Sequence, residues 1–149
     1  MLVENSMEMN APLEQVYALA KDVYSCPEEF LPGVKSIRVV ERSADGKRIV
    51  SEWESMVKEF RALVRWTVED IWDDNAHAYK SSLIKSNYYT YSGHCTFTDL
   101  GSGTRVESKI EVDCDLPRVG AHIKRFIANK IHQNINHMFT AIKARVETA

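Results

Sequence analysis

The sequence predicts an α+β fold in which a curved antiparallel sheet of about seven strands wraps round a long C-terminal helix, with two short helices after the first strand. One observation is an apolar stripe over residues 117–146, whose members recur every three or four residues: Val119, Ile123, Ile127, Ile131, Ile135, Met138, Ile142 and Val146. A second is the run of alternating polar and apolar segments that precedes this stripe. A helix of roughly 30 residues is about 45 Å long, so a broad concave surface must cover it, and the strands can provide one.

The first third of the chain predicts a strand, two short helices and a second strand. Residues 3–9 are typical of a short strand, and Asn10 is a candidate N-cap for a helix that ends near Tyr24. Residues 25–33 contain two prolines and a glycine, which favours a short helical turn between loops. A strand is then expected over residues 34–42.

Five further segments alternate with the period of two that is typical of half-buried strands. In the last of them a nearly apolar inner face opposes a charged outer face. The inner face contains Val106, Ser108, Ile110, Val112, Cys114 and Leu116. In two earlier strands the same alternation assigns an inner face to Ile49, Ser51, Trp53, Ser55 and Val57, and to Phe60, Ala62, Val64, Trp66 and Val68. Segments 77–84 and 88–98 complete the series. Strands joined by short turns pair antiparallel.

Small and polar residues interrupt the aromatic residues of this inner face, namely Ser51, Ser55, Ala62, Ser81, Gly93 and Ser108. Such a mixture can line a cavity with a few hydrogen-bonding points. The alternative is that large side chains simply fill the space between sheet and helix, with Trp53, Trp66, Tyr79 and Phe97 as the candidates. The residues alone leave both possibilities open.

Composition predicts one globular domain over residues 1–149. Hydrophobic residues make up 44% and charged residues 27% of the chain, which is ordinary for a globular protein. No apolar run reaches the roughly 18 residues of a membrane span, and the N-terminus lacks the pattern of a secretory signal, so a cytoplasmic location is expected. The cysteines are odd in number and widely spaced, which argues against a disulfide framework or CxxC metal site: Cys26, Cys95 and Cys114.

The net charge of -2 is unevenly distributed along the sequence. Of 19 basic and 21 acidic side chains, residues 117–149 hold six and one, so the first 116 residues hold 13 and 20. The spacing on a helix predicts a basic stripe opposite the apolar face, formed by Arg118, Arg125, His132 and Lys143. This stripe is either a solvated outer face or a surface for an anionic membrane, a ribosome, RNA or an acidic partner.

Several short motifs occur in a characteristic order: Asn10-Ala11-Pro12 before Val16-Tyr17, Phe30-Leu31-Pro32-Gly33-Val34 before Ser36-Ile37-Arg38-Val39, Tyr91-Ser92-Gly93, and the turn from Gly101 to Val106. Through the order and spacing of these motifs, the chain resembles the START / polyketide cyclase-dehydrase (helix-grip, Bet v 1-like) superfamily over nearly its whole length. The segment 22–39 looks most like the branch that contains coenzyme Q-binding proteins and bacterial relatives proposed to act on ribosomes.

The resemblance implies a hydrophobic pocket between the sheet and the C-terminal helix of a helix-grip fold. It also implies an entrance near the loop formed by Phe30, Leu31, Pro32 and Gly33. Members of the superfamily bind lipids, sterols, quinones or aromatic polyketides, and some catalyse ring closure and dehydration. A fold shared by carriers and enzymes does not itself specify a reaction.

Motifs for several classes of enzyme are absent from the sequence. It contains no GxSxG, HExxH, P-loop or GxGxxG motif, so serine-hydrolase, zincin and nucleotide-binding functions lack support. His132 and His137 are five residues apart on a helix and therefore face different directions, which disfavours a shared metal. Asp70, Asp73 and Asp74 lie near a strand end, where solvation is the expected state. No cofactor, metal or nucleotide is predicted.

The sequence thus predicts a protein that binds a hydrophobic small molecule such as a lipid, an isoprenoid quinone or a polyketide-like compound. The expected ligand-binding residues are Trp53, Ser55, Ala62, Val64, Trp66, Tyr79, Tyr91, Phe97, Ser108, Ile110, Ile127, Ile131 and Met138. An aromatase/cyclase or dehydrase is one alternative, with Tyr79, Tyr89 and Tyr91 as candidate proton donors or acceptors and His94 expected to point outward. An interaction module that uses the basic C-terminal helix is the other.

Overall fold

Seven strands and two helices make up the part of the chain described by a computed structural model, which covers residues 1–24, 34–57, 61–85, 89–114 and 121–148. In chain order they are β1 (Leu2–Met9), α1 (Leu13–Lys21), β2 (Val34–Arg42), β3 (Arg48–Val57), β4 (Ala62–Asp73), β5 (Ala78–Lys85), β6 (Thr90–Asp99), β7 (Thr104–Asp113) and α2 (Ala121–Thr148). The predicted α+β helix-grip architecture is confirmed. The second short helix and the entrance loop, both predicted within residues 25–33, lie outside the described residues, as do residues 117–120 of the predicted long helix.

The strands form one antiparallel sheet in the order β1-β7-β6-β5-β4-β3-β2. Strands β2 to β7 follow one another as a meander, and β1 pairs with the last of them, so that Val3 lies opposite Ile110. The predicted inner face of β7 is buried at every second residue, from Val106 to Cys114. Period-two alternation therefore explains both the strand boundaries and which face of the sheet meets the helices.

Helix α2 packs mainly against β1 and α1. Its apolar side chains Phe139, Ile142 and Val146 belong to the main core cluster. Two hydrogen bonds fix the helix along β1: Asn5 Nδ2 donates to the His132 carbonyl over 3.1 Å, and Lys143 Nζ donates to the Glu8 carbonyl over 3.1 Å. The long helix therefore lies over one edge of the sheet.

The beginning and end of α1 differ from the sequence prediction. Asn10 does not cap the helix, because the N-cap residue is Pro12 and no side chain caps the helix. The Asn10 N–H instead donates to Glu147 Oε2 over 3.1 Å, which ties the end of β1 to α2. The helix ends at Lys21 rather than near Tyr24, and Tyr24 lies in the turn that follows.

Helix α1 also covers part of the sheet. Its buried residues are Val16, Tyr17 and Ala20. The Tyr17 ring makes edge-on contacts with Trp72 and Phe97, at centroid distances of 5.7 Å and 5.3 Å. Within the described residues, neither helix is long and apolar enough to cross a membrane.

Gly93 allows β6 and β7 to approach each other closely on the inner face. A Cβ built at this position would lie 2.2 Å from the Lys109 carbonyl oxygen and 2.7 Å from the Cα of Ile110. Both contacts involve the backbone of β7, which cannot move without disturbing the ladder. Position 93 therefore excludes every side chain.

We expect Gly93→Ala to lower the free energy of unfolding by about 1–3 kcal/mol, because the added methyl group forces the two strands apart. Urea denaturation measures the loss. The matched control is His94→Ala at the exposed neighbouring position, which should change stability little. Equal stability of Gly93→Ala and the wild type would show that the close approach of β6 and β7 is not required.

Candidate functional site

A cavity lies between the inner face of the sheet and helices α1 and α2. The volume open to the centre of a water molecule is ≈ 140 Å³, and the space between atoms, including the opening to solvent, is ≈ 1050 Å³. Strands β3 to β7 supply most of its walls, and α2 contributes Ile131, Asn134, Ile135, Met138, Phe139 and Ile142. The cavity arises because α2 lies over β1 while the sheet curves away from it.

Two indole rings that stack on each other form part of the wall. Trp53 on β3 and Trp66 on β4 are register partners in the antiparallel pair. Their ring centroids are 6.1 Å apart with an interplanar angle of 16°, and both line the cavity. Trp53 Nε1 donates to the buried Ser51 hydroxyl over 2.9 Å, which holds this indole in place.

Nine of the thirteen predicted ligand-binding residues line the cavity: Trp53, Trp66, Tyr79, Tyr91, Phe97, Ser108, Ile110, Ile131 and Met138. The other four do not. Ser55, Ala62 and Val64 lie beyond the pair of tryptophans, toward the end of β3 and the beginning of β4, although they share the face of the tryptophans. Ile127 packs against a second apolar cluster built on Val3, Ile110, Val112 and Ala128. Alternation identifies the face of a residue but not its distance from the cavity.

The most polar group of the cavity is a carboxylate that the sequence prediction placed in solvent. Asp70 is only 5% exposed and lines the cavity, because it follows Trp66 and Val68 on the inner face of β4. The expectation of solvation is therefore wrong for Asp70. It is correct for Asp74, whose Oδ1 accepts hydrogen bonds from Tyr17 Oη and Lys21 Nζ at the exposed strand end. Continuing the alternation of β4 from Trp66 and Val68 by two more residues would have placed Asp70 on the inner face.

Two aromatic side chains hold one oxygen of Asp70 in place. Tyr24 Oη donates to Oδ2, and Trp72 Nε1 donates in turn to Tyr24 Oη over 3.3 Å. The other carboxylate oxygen, Oδ1, is buried and makes no hydrogen bond of normal length, although the Ser81 hydroxyl, opposite Asp70 on β5, lies close enough to stabilise the carboxylate. Tyr24 was also missed as a site residue, because the sequence suggested only that the first helix ends near it, whereas it lies in the turn after α1.

Burial raises the pKa of Asp70 to about 6, and the nearby hydroxyl groups of Tyr24 and Ser81 oppose this effect. The nearby Glu69 carboxylate raises the pKa of Asp70 further. None of the described residues that line the cavity is a lysine or an arginine. The cavity thus contains a carboxylate that is largely ionised at neutral pH and has no cationic partner among them.

The three predicted tyrosine candidates, Tyr79, Tyr89 and Tyr91, all line the cavity. Burial raises the pKa of Tyr89 to about 12 and also raises the pKa values of Tyr79 and Tyr91. These hydroxyls therefore stay protonated at neutral pH and can donate hydrogen bonds, but they cannot act as bases. His94 borders the cavity, but its side chain is exposed, as expected for its outward position on β6.

No group of three or more His, Cys, Asp or Glu side chains suited to a metal ion occurs in the described ranges. Cys95 and Cys114 are buried cysteines that form no disulfide with each other, and burial raises the pKa of Cys95 to about 12. A thiol with such a pKa is a poor nucleophile at neutral pH. The chemistry of the site is therefore that of aromatic walls, hydroxyl donors and one carboxylate.

A model of the family described as polyketide cyclase / dehydrase and lipid transport matches residues 2–147. The chain belongs to this family. A match over almost the entire length confirms the resemblance seen in the sequence motifs. No curated protein matches the chain.

Several solved structures have a fold similar to that of this protein. The protein TTHA0849 from Thermus thermophilus is 27% identical, with a TM-score of 0.84 over 99% of this chain and 98% of that one. The Zhui aromatase/cyclase from Streptomyces sp. R1128 is 14% identical, with a TM-score of 0.84 over 99% and 93%. A START superfamily protein from Mycobacterium smegmatis is 17% identical, with a TM-score of 0.73 over 99% and 97%.

The raised pKa of Asp70 predicts a specific dependence of stability on pH. Between pH 3.8, the ordinary pKa of an aspartate, and about pH 6, Asp70 in the folded protein keeps a proton that the unfolded chain has released. Asp70 therefore lowers stability progressively as pH rises through this window. We expect the advantage of Asp70→Asn over the wild type to grow by about 2–3 kcal/mol between pH 4 and pH 7.

Urea unfolding of both proteins across this pH range measures the effect. The control is Glu69→Gln, which removes the adjacent acid on the outer face of β4, where Glu69 accepts a hydrogen bond from Arg48. A stability difference between Asp70→Asn and the wild type that is the same at every pH would contradict the raised pKa.

Proposed function

We propose that this protein binds a hydrophobic small molecule in the cavity between the sheet and α2. The single observation that carries the proposal is the aromatic cavity that the fold leaves open beneath α2. The volume open to the centre of a water molecule, ≈ 140 Å³, is below the roughly 300–1,000 Å³ of pockets for drug-sized ligands, so a larger ligand would have to displace lining side chains. The family description, which includes lipid transport, supports the same conclusion.

The walls of the cavity favour a ligand with a flat or extended apolar body. The parallel indoles of Trp53 and Trp66 offer ring faces, and Ile110, Ile131 and Met138 offer aliphatic surface. A lipid, an isoprenoid quinone or a polyketide-like compound meets this requirement. Burial of such a ligand is driven by the removal of its apolar surface from water.

Filling the cavity should abolish this function without removing the fold. Ser108→Phe places a ring into the cavity from β7, and Lys109→Phe adds the same ring on the exposed outer face as a control. Native mass spectrometry of the freshly purified proteins, with solvent extraction of any bound molecule, measures occupancy. We expect Ser108→Phe to fall to about a tenth of wild-type occupancy or less, equivalent to about 1.4 kcal/mol or more.

Lys109→Phe should retain the ligand, because its ring lies on the solvent side of the sheet. Circular dichroism checks that both variants remain folded. If the wild type carries no apolar molecule and also fails to take up added lipid, quinone or polyketide, ligand binding is not the function of the cavity.

Catalysis on a polyketide-like substrate, as by an aromatase/cyclase or dehydrase, is the second candidate function. The observation that favours it is the position of Asp70, an ionisable group with a pKa of about 6 inside an apolar cavity. Ring closure and loss of water both require proton transfer, and a carboxylate with such a pKa can accept a proton at neutral pH. The tyrosines Tyr79, Tyr89 and Tyr91 would donate hydrogen bonds to substrate carbonyl oxygens.

If the protein is such an enzyme, Asp70→Asn should lower kcat/KM for a poly-β-ketone substrate by roughly 10²–10⁴-fold. Wild-type kcat/KM should rise with pH through about 6, as Asp70 ionises. Glu69→Gln should keep full activity. Absence of turnover, or turnover that is unaffected by Asp70→Asn, would leave ligand binding as the function.

An interaction role for the basic face of α2 receives less support. Lys124 Nζ lies 3.3 Å from Asp113 Oδ1, and Lys143 bonds both Glu147 and the Glu8 carbonyl. These contacts tie both lysines to neighbouring acidic groups of the protein itself. Arg118, the first member of the predicted stripe, lies outside the described residues.

A further inference from the structure

Among the described residues that line the cavity, Asp70 has a carboxylate oxygen that makes no hydrogen bond of normal length. Asp70 is 5% exposed, and its Oδ2 accepts the Tyr24 hydroxyl, whereas Oδ1 is buried, and the Ser81 hydroxyl on β5 lies near the carboxylate without bonding Oδ1 at normal distance. An unpaired buried acceptor destabilises the folded protein, and a charged one destabilises it more. A protein that needed only an apolar pocket would be more stable with an apolar residue at this position.

An ionised carboxylate accepts hydrogen bonds and cannot donate them. The partner of Oδ1 must therefore be a donor. A hydroxyl group brings one such donor to one free acceptor, whereas an ammonium group would bring three donors and a charge that needs further acceptors. The apolar and aromatic walls around Asp70, which include Val68 and Trp72 on the same strand, would contact the ring of such a ligand.

We propose that the ligand of this cavity is a hydroxylated ring compound whose hydroxyl group donates a hydrogen bond to Asp70 Oδ1. The inference rests on the proposed function, since it requires that the cavity takes a ligand. It goes further by naming the polar group of that ligand and the atom that recognises it. Tyr24 and Trp72 position the carboxylate through the hydrogen bonds that end on Oδ2.

Three probes with the same ring system separate the contributions to binding. Naphthalene has no polar group, 2-naphthol has a hydroxyl donor, and 2-methoxynaphthalene keeps the oxygen but has no donor. Isothermal titration calorimetry at pH 7.5 gives the dissociation constant of each. We expect the wild type to bind 2-naphthol roughly 10- to 100-fold more tightly than 2-methoxynaphthalene, as for a hydrogen bond to a charged group.

Asp70→Asn should lose this preference, because the amide nitrogen can donate to the methoxy oxygen while the charged acceptor is gone. Glu69→Gln on the outer face of β4 should keep it. If wild type and Asp70→Asn prefer 2-naphthol equally, Asp70 does not recognise the hydroxyl and the inference fails. Equal binding of all three probes by the wild type overturns the inference but leaves the proposed function intact, whereas binding of none overturns both.

A measurement on the wild type alone avoids dependence on the folding of the variant. Protonation of Asp70 at pH 5 should reduce the preference for 2-naphthol, and a preference that is unchanged would overturn the inference. The ionisable groups that affect Asp70 are Glu69 on its own strand, Tyr24 after α1, Tyr79 on β5, and Tyr91 and Cys95 on β6. Burial keeps these tyrosines and Cys95 protonated at both pH values, and Glu69 lies on the outer face of β4.

Discussion

The packing of α2 against β1 and α1 is the constraint on which the cavity depends. Hydrogen bonds from Asn5 and Lys143, together with the buried Phe139 and Ile142, hold the helix over one edge of the sheet. The described side chains of the middle strands and of α2 leave a cavity between them. A binding site thus follows from the arrangement of secondary structure, before any particular residue lines it.

The burial of Asp70 gives this apolar site its chemical character. A carboxylate away from water is unfavourable unless it is paired, and only one of its oxygens has a partner here. Tyr24 reaches it from the turn after α1, so the same helix that closes the core also positions the polar group of the cavity. Groups that reduce stability in this way are characteristic of functional sites, where they are retained for binding or proton transfer.

Alternation and helical spacing were enough to predict the fold, the inner faces of β3 to β7 and nine of the residues that line the cavity. They could not show that Ser55, Ala62 and Val64 lie beyond the cavity, because depth along a strand depends on how the sheet curves. Asp70 was missed because a charged residue near a strand end usually faces solvent, although Trp66 and Val68 already defined its face. The contact between Tyr24 and Asp70 joins residues 46 positions apart, which no local pattern reveals.

A ¹³C NMR titration of the Asp70 carboxyl group tests most directly whether the cavity contains a buried, ionisable carboxylate. Asp70→Asn identifies the resonance, and Asp74 at the exposed strand end serves as the internal comparison. The structure predicts a midpoint near 6 for Asp70 and one below the ordinary value for Asp74, which Tyr17 and Lys21 stabilise as the anion. A midpoint for Asp70 near 3.8 would contradict its burial and with it the chemistry assigned to this site.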